Sequence, residues 1–167
     1  MCSSDLTTPA PGGGMLNSIG LAGPGVEAWV RDDLEALEAT GATIIVSLWG
    51  RTVQDYELGA AALQGVAGRI AALEVNLSCP NLGGHEMFAQ SIDATAAAVR
   101  ACVGPLPVFA KLTAQVTDLV GIARSAMDAG AAGLTLINTL PGLVIDPVHR
   151  RPKLGAGGGG LDRKSTR

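Results

Sequence analysis

Aromatic residues, cysteine and positive charge are all scarce in this sequence. Only 3% of the 167 residues are aromatic, while 23 are glycine and 9 are proline. This balance favours a fold built on small-residue packing and tight loops near a ligand. The 12 lysines and arginines stand against 15 aspartates and glutamates, so no basic surface exists to attract a phosphate backbone. We expect no nucleic-acid partner.

The cysteines are three in number and widely spaced. Cys2, Cys79 and Cys102 form no CxxC pair, which argues against a disulfide framework and against a zinc cage. The two histidines, His85 and His149, have no partner at ligand spacing, so we predict no metal site. A reducing cytoplasm fits these free thiols best.

Long apolar runs are also missing. The longest, such as 41–49, is too short to cross a bilayer, and the N-terminus lacks a basic segment followed by an apolar one. We therefore expect a soluble protein with no membrane association. With 47% hydrophobic and 16% charged residues, the chain can bury a core in one domain.

Short β-branched runs alternate with alanine-rich segments of helical period through the middle of the chain. The pattern predicts strands at 42–48, 72–77, 108–112 and 133–137, and helices at 53–63, 92–102 and 118–129. Thr52 and Thr117 are the expected N-caps of the first and third helices, and Gly130 is expected to end the third.

The spacing between successive strands, about 25–35 residues, is that of consecutive βα units around a parallel sheet. An open doubly wound sheet and a closed (β/α)₈ barrel share this pattern. Each predicted strand ends on polar residues: Ser47, Asn76, Lys111 and the pair Asn138–Thr139. A ring of polar strand ends favours the barrel, because an open sheet binds its ligand mainly at one switch point. A barrel takes about 250 residues in eight units, so about four units indicate a partial barrel.

The densest polar cluster is NLSCPN at 76–81, directly after a predicted strand. Asn76 and Asn81 flank Cys79, and amide groups suit a flat ligand with C=O and N–H edges, such as a pyrimidine. The thiol could serve as a base or a nucleophile. The alternative is structural: both asparagines satisfy loop backbone and Cys79 fills a small buried space.

Lys111 lies within an apolar strand, where burial of an ammonium group is unfavourable unless an anion pairs with it. It could form a Schiff base, hold a phosphate, or stabilise negative charge on a reduced cofactor ring. It could also simply extend to solvent from a strand end. The run 155–160, rich in glycine, suits either a phosphate loop or a flexible tail.

Four motifs together resemble the FMN-dependent dihydroorotate dehydrogenases, over residues 14–161. They are NSIGL (17–21), NLSCPN (76–81), KLTAQVTD (111–118) and INTLPG (137–142). NxSCPN resembles the branch with a cysteine base, since the membrane-associated branch has serine there. The stretch 138–160 looks more like the NAD-linked branch than the fumarate-using one.

The resemblance implies a (β/α)₈ barrel with FMN at its C-terminal mouth and oxidation of dihydroorotate to orotate in pyrimidine (UMP) synthesis. Cys79 would be the base that takes the C5 proton while C6 gives hydride to the flavin. Substrate would be held by Asn17, Ile19, Gly20, Leu21, Asn76, Asn81, Asn138 and Thr139. FMN would contact Ser47, Asn76, Lys111 and Ile137.

The sequence departs from the family pattern in three places. Thr113-Ala114-Gln115 stands where Ser-Pro-Asn is usual, and Ser47 replaces an asparagine that contacts flavin. A Gly-Gly-Leu-Ser-Gly stretch breaks off at Asp162. We therefore expect a disordered, non-native tail at 1–13, a partial barrel at 14–161 and a second non-native tail at 162–167.

The NAD-linked members work with an iron–sulfur and FAD subunit, and the full-length chain is expected to be a homo-oligomer. One alternative is an inactive barrel fragment with exposed strand edges. Dihydropyrimidine dehydrogenase shares KLT…VTD, but it commonly has histidine where this chain has Asn81. A phosphate-binding barrel would instead require Lys111 to form a Schiff base with a carbonyl substrate.

Overall fold

The protein is described by a computed structural model that covers residues 6–10, 13–78 and 87–162. The chain forms two compact units. One combines Met1–Gly23 with Thr139–Arg167, and the other is Pro24–Asn138.

The structure has ten short strands, five helices and two 3₁₀ turns among the described residues. The strands are β1 (Thr7–Ala10), β2 (Gly14–Asn17), β3 (Ile45–Leu48), β4 (Ala72–Asn76), β5 (Val108–Lys111), β6 (Gly133–Thr135), β7 (Leu140–Gly142), β8 (Ile145–Asp146), β9 (Arg151–Pro152) and β10 (Gly159–Asp162). The helices are α1 (Val26–Asp32), α2 (Leu34–Glu38), α3 (Val53–Gln64), α4 (Ile92–Cys102) and α5 (Leu119–Asp128), with 3₁₀ turns at Ala67–Arg69 and Phe88–Gln90.

The unit Pro24–Asn138 is built on a parallel sheet of order β3-β4-β5-β6. The strands pair in the order in which they occur in the chain, and α3, α4 and α5 connect them. This confirms the predicted βα units. All four predicted strands and all three predicted helices are present, and the helix predicted at 92–102 has the observed bounds.

The two faces of this sheet differ in chemistry because successive strand residues point to opposite sides. One face packs against α3, α4 and α5 in a core that includes Leu48, Leu73, Val75, Val108, Ala110, Leu63, Val99, Ile122 and Ala126. The alternate positions carry Ser47, Glu74, Phe109 and Lys111. A Cβ at Gly133 would lie 2.7 Å from a ring carbon of Phe109, so this second face needs glycine there.

Helix α3 begins at a capping box, as predicted for Thr52. The Thr52 hydroxyl accepts from the Asp55 N–H at 3.1 Å, and the Asp55 carboxylate accepts from the Thr52 N–H at 2.9 Å. The Asp55 carboxylate also accepts from the backbone N–H of Arg51, and this hydrogen bond makes the largest contribution to the lowered pKa of Asp55. These bonds satisfy N–H groups that the first helical turn leaves without intrahelical partners.

The predicted cap at Thr117 is wrong. Asp118 is the N-cap of α5, and its carboxylate accepts from the Gly121 N–H at 2.8 Å. A carboxylate satisfies the first-turn N–H groups and also interacts favourably with the helix dipole. The predicted stop at Gly130 is confirmed, since this residue adopts a φ of +108° directly after the helix.

The other unit contains an antiparallel sheet of order β1-β2-β10-β7, which the sequence did not predict. The expectation of disorder at 1–13 is wrong for Thr7–Ala10, which pairs with Gly14–Asn17. β10 pairs with β2 and β7 in the segment read as a glycine-rich tail or phosphate loop. Strands pair through main-chain hydrogen bonds, so these strands can form without an apolar side-chain pattern that would reveal them in the sequence. The boundaries 1–13, 14–161 and 162–167 otherwise stay a prediction.

Helices α1 and α2 were also missed. Their segment is rich in acidic residues, and its short turns bury few side chains. Leu34 is fully buried, while Trp29 and Val30 pack against the core of the parallel sheet. Within the described part of the chain, no helix has the length and apolar character needed to cross a bilayer.

Replacing Thr52 with alanine should lower the free energy of unfolding by about 1 kcal/mol, because the capping box is lost. Urea unfolding followed by circular dichroism measures this. Thr117→Ala is the matched control, with an expected change within about 0.5 kcal/mol. Equal losses in the two variants would contradict the assignment of the cap.

Candidate active site

The carboxyl ends of the central strands bring three polar side chains into one row. In the parallel register Asn76 lies beside Lys111, and Lys111 lies beside Thr135. Neighbouring strands are about 4.8 Å apart, so these side chains share one edge and one face of the sheet. The row combines an amide, an ammonium group and a hydroxyl, which can bind carbonyl oxygens and anionic groups.

Asn76 is buried, and its side chain organises the turn that follows β4. The amide oxygen accepts from the Ser78 hydroxyl at 2.9 Å and from the Ser78 N–H at 3.3 Å. The backbone carbonyl of Asn76 accepts from the Tyr56 hydroxyl at 2.9 Å. Asn76 therefore does what the structural alternative expected of it, while its amide also lies at the polar strand edge.

Asn138 connects the ends of two strands. Its side-chain amide donates to the Ser78 carbonyl at 2.7 Å, across 60 residues of sequence. Its backbone N–H donates to the Leu112 carbonyl, directly after β5, at 3.0 Å. Ile137, just before it, is 42% exposed and follows a cis peptide bond. Asn76, Ser78 and Asn138 thus form one amide network, defined by these hydrogen bonds, next to Lys111 in the sheet.

Lys111 is half-buried. The ion pairs among the described residues join Arg31 to Asp32, Arg69 to Glu38 and His149 to Asp146, so Lys111 is in none of them. The carboxylate of Glu74 lies on the same face but accepts from the Ser47 hydroxyl at 2.9 Å. A half-buried lysine that pairs with none of the described carboxylates is suited to bind an anionic ligand.

Two positions that depart from the family pattern have local partners. Ser47 is exposed and donates its hydroxyl to Glu74. Thr113 is buried, and its hydroxyl accepts from the Gln115 N–H at 3.2 Å. These bonds show how the two hydroxyl side chains are accommodated, and the flavin contact of Ser47 stays a prediction.

The unit formed by Met1–Gly23 and Thr139–Arg167 carries the remaining described candidates. Asn17 ends β2 and donates its amide to the Gly160 carbonyl at 3.3 Å. A Cβ at Gly160 would overlap the Thr139 hydroxyl, so Asn17 and Thr139 both contact this glycine of β10.

The NSIGL motif continues beyond β2 as an exposed segment. Ile19 is 59% exposed and Leu21 is 39% exposed. Gly20, between them, has a φ of +80°, which favours glycine. The contact of Ile19, Gly20 and Leu21 with substrate stays a prediction.

Cys79 and Asn81 lie outside the described residues. Cys102, by contrast, is buried in the core, and burial raises its thiol pKa to about 12. It therefore stays a neutral thiol near pH 7 and is unsuited to act as a base. No cluster of three or more potential metal ligands occurs among the residues that the structure describes.

Sequence reasoning missed four residues of this site: Tyr56, Glu74, Ser78 and Thr135. Tyr56 is the single tyrosine of the chain and lies in an alanine-rich helix, which was the available signal. Glu74 stands two residues before Asn76, so the period of a strand places it on the same face. Ser78 lies inside the NLSCPN motif, but its role depends on the distant Asn138, which no local pattern reveals.

Comparisons with known proteins identify the family of this chain. The family model for dihydroorotate dehydrogenase matches residues 7–166. The chain belongs to the dihydroorotate dehydrogenase family. It is similar to three bacterial proteins, each named dihydroorotate dehydrogenase B (NAD(+)), catalytic subunit.

The relative from Desulforudis audaxviator (strain MP104C) is 49% identical over 163 residues, which cover 96% of this chain and 52% of the relative. Those from Geobacter sp. (strain M21) and Geobacillus kaustophilus (strain HTA426) are both 43% identical over 152 residues. They are matched over 89% of this chain and over 50% and 48% of their own lengths. The chain spans about half the length of the curated relatives it matches.

Family membership confirms the predicted fold class. The parallel sheet and its helices are part of a (β/α)₈ barrel, with the amide network at the carboxyl ends of the strands. Barrel enzymes of this class build their active sites at that end. The polar row therefore lies where such a site is expected.

Replacing Asn138 with aspartate should lower the free energy of unfolding at pH 7 by about 2 kcal/mol, because a carboxylate then faces the Ser78 carbonyl. This environment raises the folded-state pKa of the new carboxyl. The loss should therefore shrink as the pH falls through that raised pKa, and it should be smallest below about 4, the pKa of an aspartate in the unfolded chain, where the protonated acid can donate. Urea unfolding at several pH values measures the change.

Gln90→Glu is the matched control for Asn138→Asp. The Gln90 amide donates to the Gln115 carbonyl in an exposed contact of 3.5 Å, and its oxygen accepts from Met87. Glutamate keeps that acceptor, so we expect a loss of no more than about 0.5 kcal/mol. An Asn138→Asp variant as stable as Gln90→Glu at pH 7 would show that the amide network contributes little.

Proposed function

We propose that the complete protein oxidises dihydroorotate to orotate, with hydride transfer to FMN, in de novo pyrimidine (UMP) synthesis. The observation that supports this most directly is the amide network of Asn76, Ser78 and Asn138 beside Lys111. Family membership and the names of the relatives support the same reaction.

Substrate recognition is proposed to use amide side chains from several strand ends. Dihydroorotate has ring carbonyl and N–H groups and a carboxylate, and an asparagine amide can both donate and accept. Asn76, Asn81 and Asn138 would bind the ring edges. The substrate would also contact Asn17, Ile19, Gly20, Leu21 and Thr139. Hydrogen bonds among Asn76, Ser78 and Asn138 hold two of these amides in place before substrate binds.

Cys79 is proposed as the general base. It would take the C5 proton of dihydroorotate as a thiolate, while the hydride leaves from C6. The chain entering Cys79 is anchored on its N-terminal side, because the Ser78 carbonyl accepts from Asn138 and the Ser78 N–H donates to Asn76.

The described residues fit a flavin at this edge. Lys111 is a half-buried residue whose ammonium group pairs with none of the described carboxylates, and Asn76 lies beside it in the register. FMN, when bound, would supply the hydride acceptor. Lys111 would hold positive charge near the pyrimidine edge of the flavin, with Asn76, Ser47 and Ile137 as further contacts.

The names of the relatives support an NAD-linked system with a separate electron-transfer subunit. We propose that this partner carries the iron–sulfur and FAD groups. A homo-oligomer of the complete chain and a cytoplasmic location are part of the same proposal.

The test uses a chimaera, because this chain matches only about half of its relatives' length. Residues 7–161 replace the matching half of the Desulforudis audaxviator relative, and that relative is the positive control. We expect a yellow protein whose flavin absorbance bleaches when dihydroorotate is added without air. Dihydrouracil, which lacks the carboxylate, is the control substrate. A flavin-loaded chimaera that dihydroorotate cannot bleach would contradict the proposal.

In the chimaera, Cys79→Ala should retain flavin and slow bleaching by about 10²–10⁴-fold, the usual contribution of a general base. The wild-type rate should rise with pH as the thiol ionises, and Cys79→Ser should show that rise only at higher pH. Cys102→Ala is the control thiol variant and should keep the wild-type pH profile. Stopped-flow absorbance measures these rates. A Cys79→Ala variant with the wild-type rate would exclude the thiol as the base.

A further inference from the structure

Tyr56 is a buried polar residue next to the amide network. It is 1% exposed and lies on α3, on the helix side of the sheet. Its hydroxyl donates to the Asn76 carbonyl at 2.9 Å, where β4 ends. The Cys102 thiol, from α4, contacts the Tyr56 carbonyl at 3.7 Å. The phenol thus reaches from α3 to the end of β4, and α4 contacts the backbone of the same residue.

The ring of Tyr56 makes a second contact beyond the NLSCPN motif. It packs edge-to-face on Phe88, with centroids 5.2 Å apart and an interplanar angle of 87°. Phe88 is fixed in turn, because its carbonyl accepts from the buried Thr95 hydroxyl at 2.9 Å. The next residue, Ala89, donates its N–H to the Leu77 carbonyl at 3.1 Å. One side chain thus holds both ends of the connection between β4 and α4.

Two further hydrogen bonds connect Asn76 to the rest of the amide network. The Asn76 amide accepts from Ser78, and the Ser78 carbonyl accepts from Asn138. A shift of the Asn76 backbone would therefore move an amide on β4 and, through Ser78, an amide that follows β6. Since the amide network is buried or half-buried, water cannot readily replace a lost bond.

We propose that Tyr56 is a positioning residue, whose phenol sets the Asn76 backbone and through it the orientation of the Asn76 and Asn138 amides. The substrate-binding part of this inference rests on the proposed function. Tyr56 would not touch the substrate. A merely structural role would lower stability without changing those two amides.

The first test observes the asparagine side-chain amides directly by NMR, in the 167-residue chain. It contains four asparagines, Asn17, Asn76, Asn81 and Asn138, so asparagine-selective ¹⁵N labelling gives four side-chain signals that single Asn→Asp variants assign. In Tyr56→Phe we expect the Asn76 and Asn138 signals to shift, and Asn138 to exchange with water about tenfold faster. The Asn17 signal should not move.

Ser125→Ala is the matched control. Ser125 lies on α5, and its hydroxyl donates to backbone carbonyls of Ile92 and Ile122 at 3.2 and 3.0 Å. The variant, like Tyr56→Phe, removes one hydroxyl group that donates to backbone carbonyls, and it should leave all four asparagine signals in place. Unchanged Asn76 and Asn138 signals in Tyr56→Phe, or equal shifts in both variants, would overturn the proposal.

A fluorinated tyrosine at position 56 tests the proposal even if the Tyr56→Phe variant does not fold. Because Tyr56 is the single tyrosine, growth on 3-fluorotyrosine labels this position alone. Fluorination makes the phenol a stronger donor while keeping the ring contact with Phe88. We expect the Asn76 and Asn138 signals to respond and Asn17 to stay unchanged. No response of the two network amides would overturn the proposal.

The second measurement is orotate binding by the flavin-loaded chimaera, well below the unfolding temperature of each variant. Tyr56→Phe should raise the Kd of orotate roughly tenfold, and Ser125→Ala less than twofold. If the wild-type chimaera binds flavin but no orotate, the proposed function fails, and the amide signals of the chain still decide the role of Tyr56. Equal Kd values for wild type and Tyr56→Phe would overturn the link to substrate.

Discussion

The parallel register of β3, β4, β5 and β6 is the constraint on which the rest of this structure depends. It aligns Leu48, Val75, Ala110 and Leu134 on the helix side, and it aligns Asn76 with Lys111 and Thr135 on the other. A slip of one residue would exchange the two faces of a strand. Lys111 would then enter the apolar core and Ala110 would leave it, so burial of the core and placement of the polar row are enforced together.

The asparagines show why a structural role and a binding role need not exclude each other. An asparagine amide has one acceptor oxygen and two donor hydrogens. In Asn138, one donor bond goes to the Ser78 carbonyl, and in Asn76 the oxygen accepts from Ser78. Each bond uses part of the hydrogen-bonding capacity and fixes the plane of the amide. A fixed amide loses less conformational entropy when a flat ligand binds.

Most of the parallel sheet could be predicted from sequence because its signals are local. β-branched runs mark the strands, and Thr52 followed by Asp55 marks the start of α3. The predicted strands also placed Asn76, Lys111 and Asn138 at their ends, and the register brings the first two side by side. These inferences needed no knowledge of distant contacts.

What sequence could not predict depends on partners far away in the chain. The pairing of β10 with β2 joins residues more than a hundred positions apart, and the strands are too short and glycine-rich to show alternation. Asp118 and Thr117 are both acceptable caps by residue type, and backbone geometry decides between them. The bonds of Tyr56 to Asn76 and of Asn138 to Ser78 are likewise set by packing, so only the folded chain reveals them.

The chemistry of the two sheet faces also explains where the stability of this unit comes from. Glu74, Lys111 and Asn76 lie on the face opposite the helices, and charged or amide groups contribute little to an apolar core. Stability must therefore come from the helix side, where Leu73, Val75 and Val99 are almost fully buried. This division lets the other face carry polar groups that a ligand can use. The same division makes Tyr56 unusual, because it lies on the helix side and yet bonds to the strand end that bears the site.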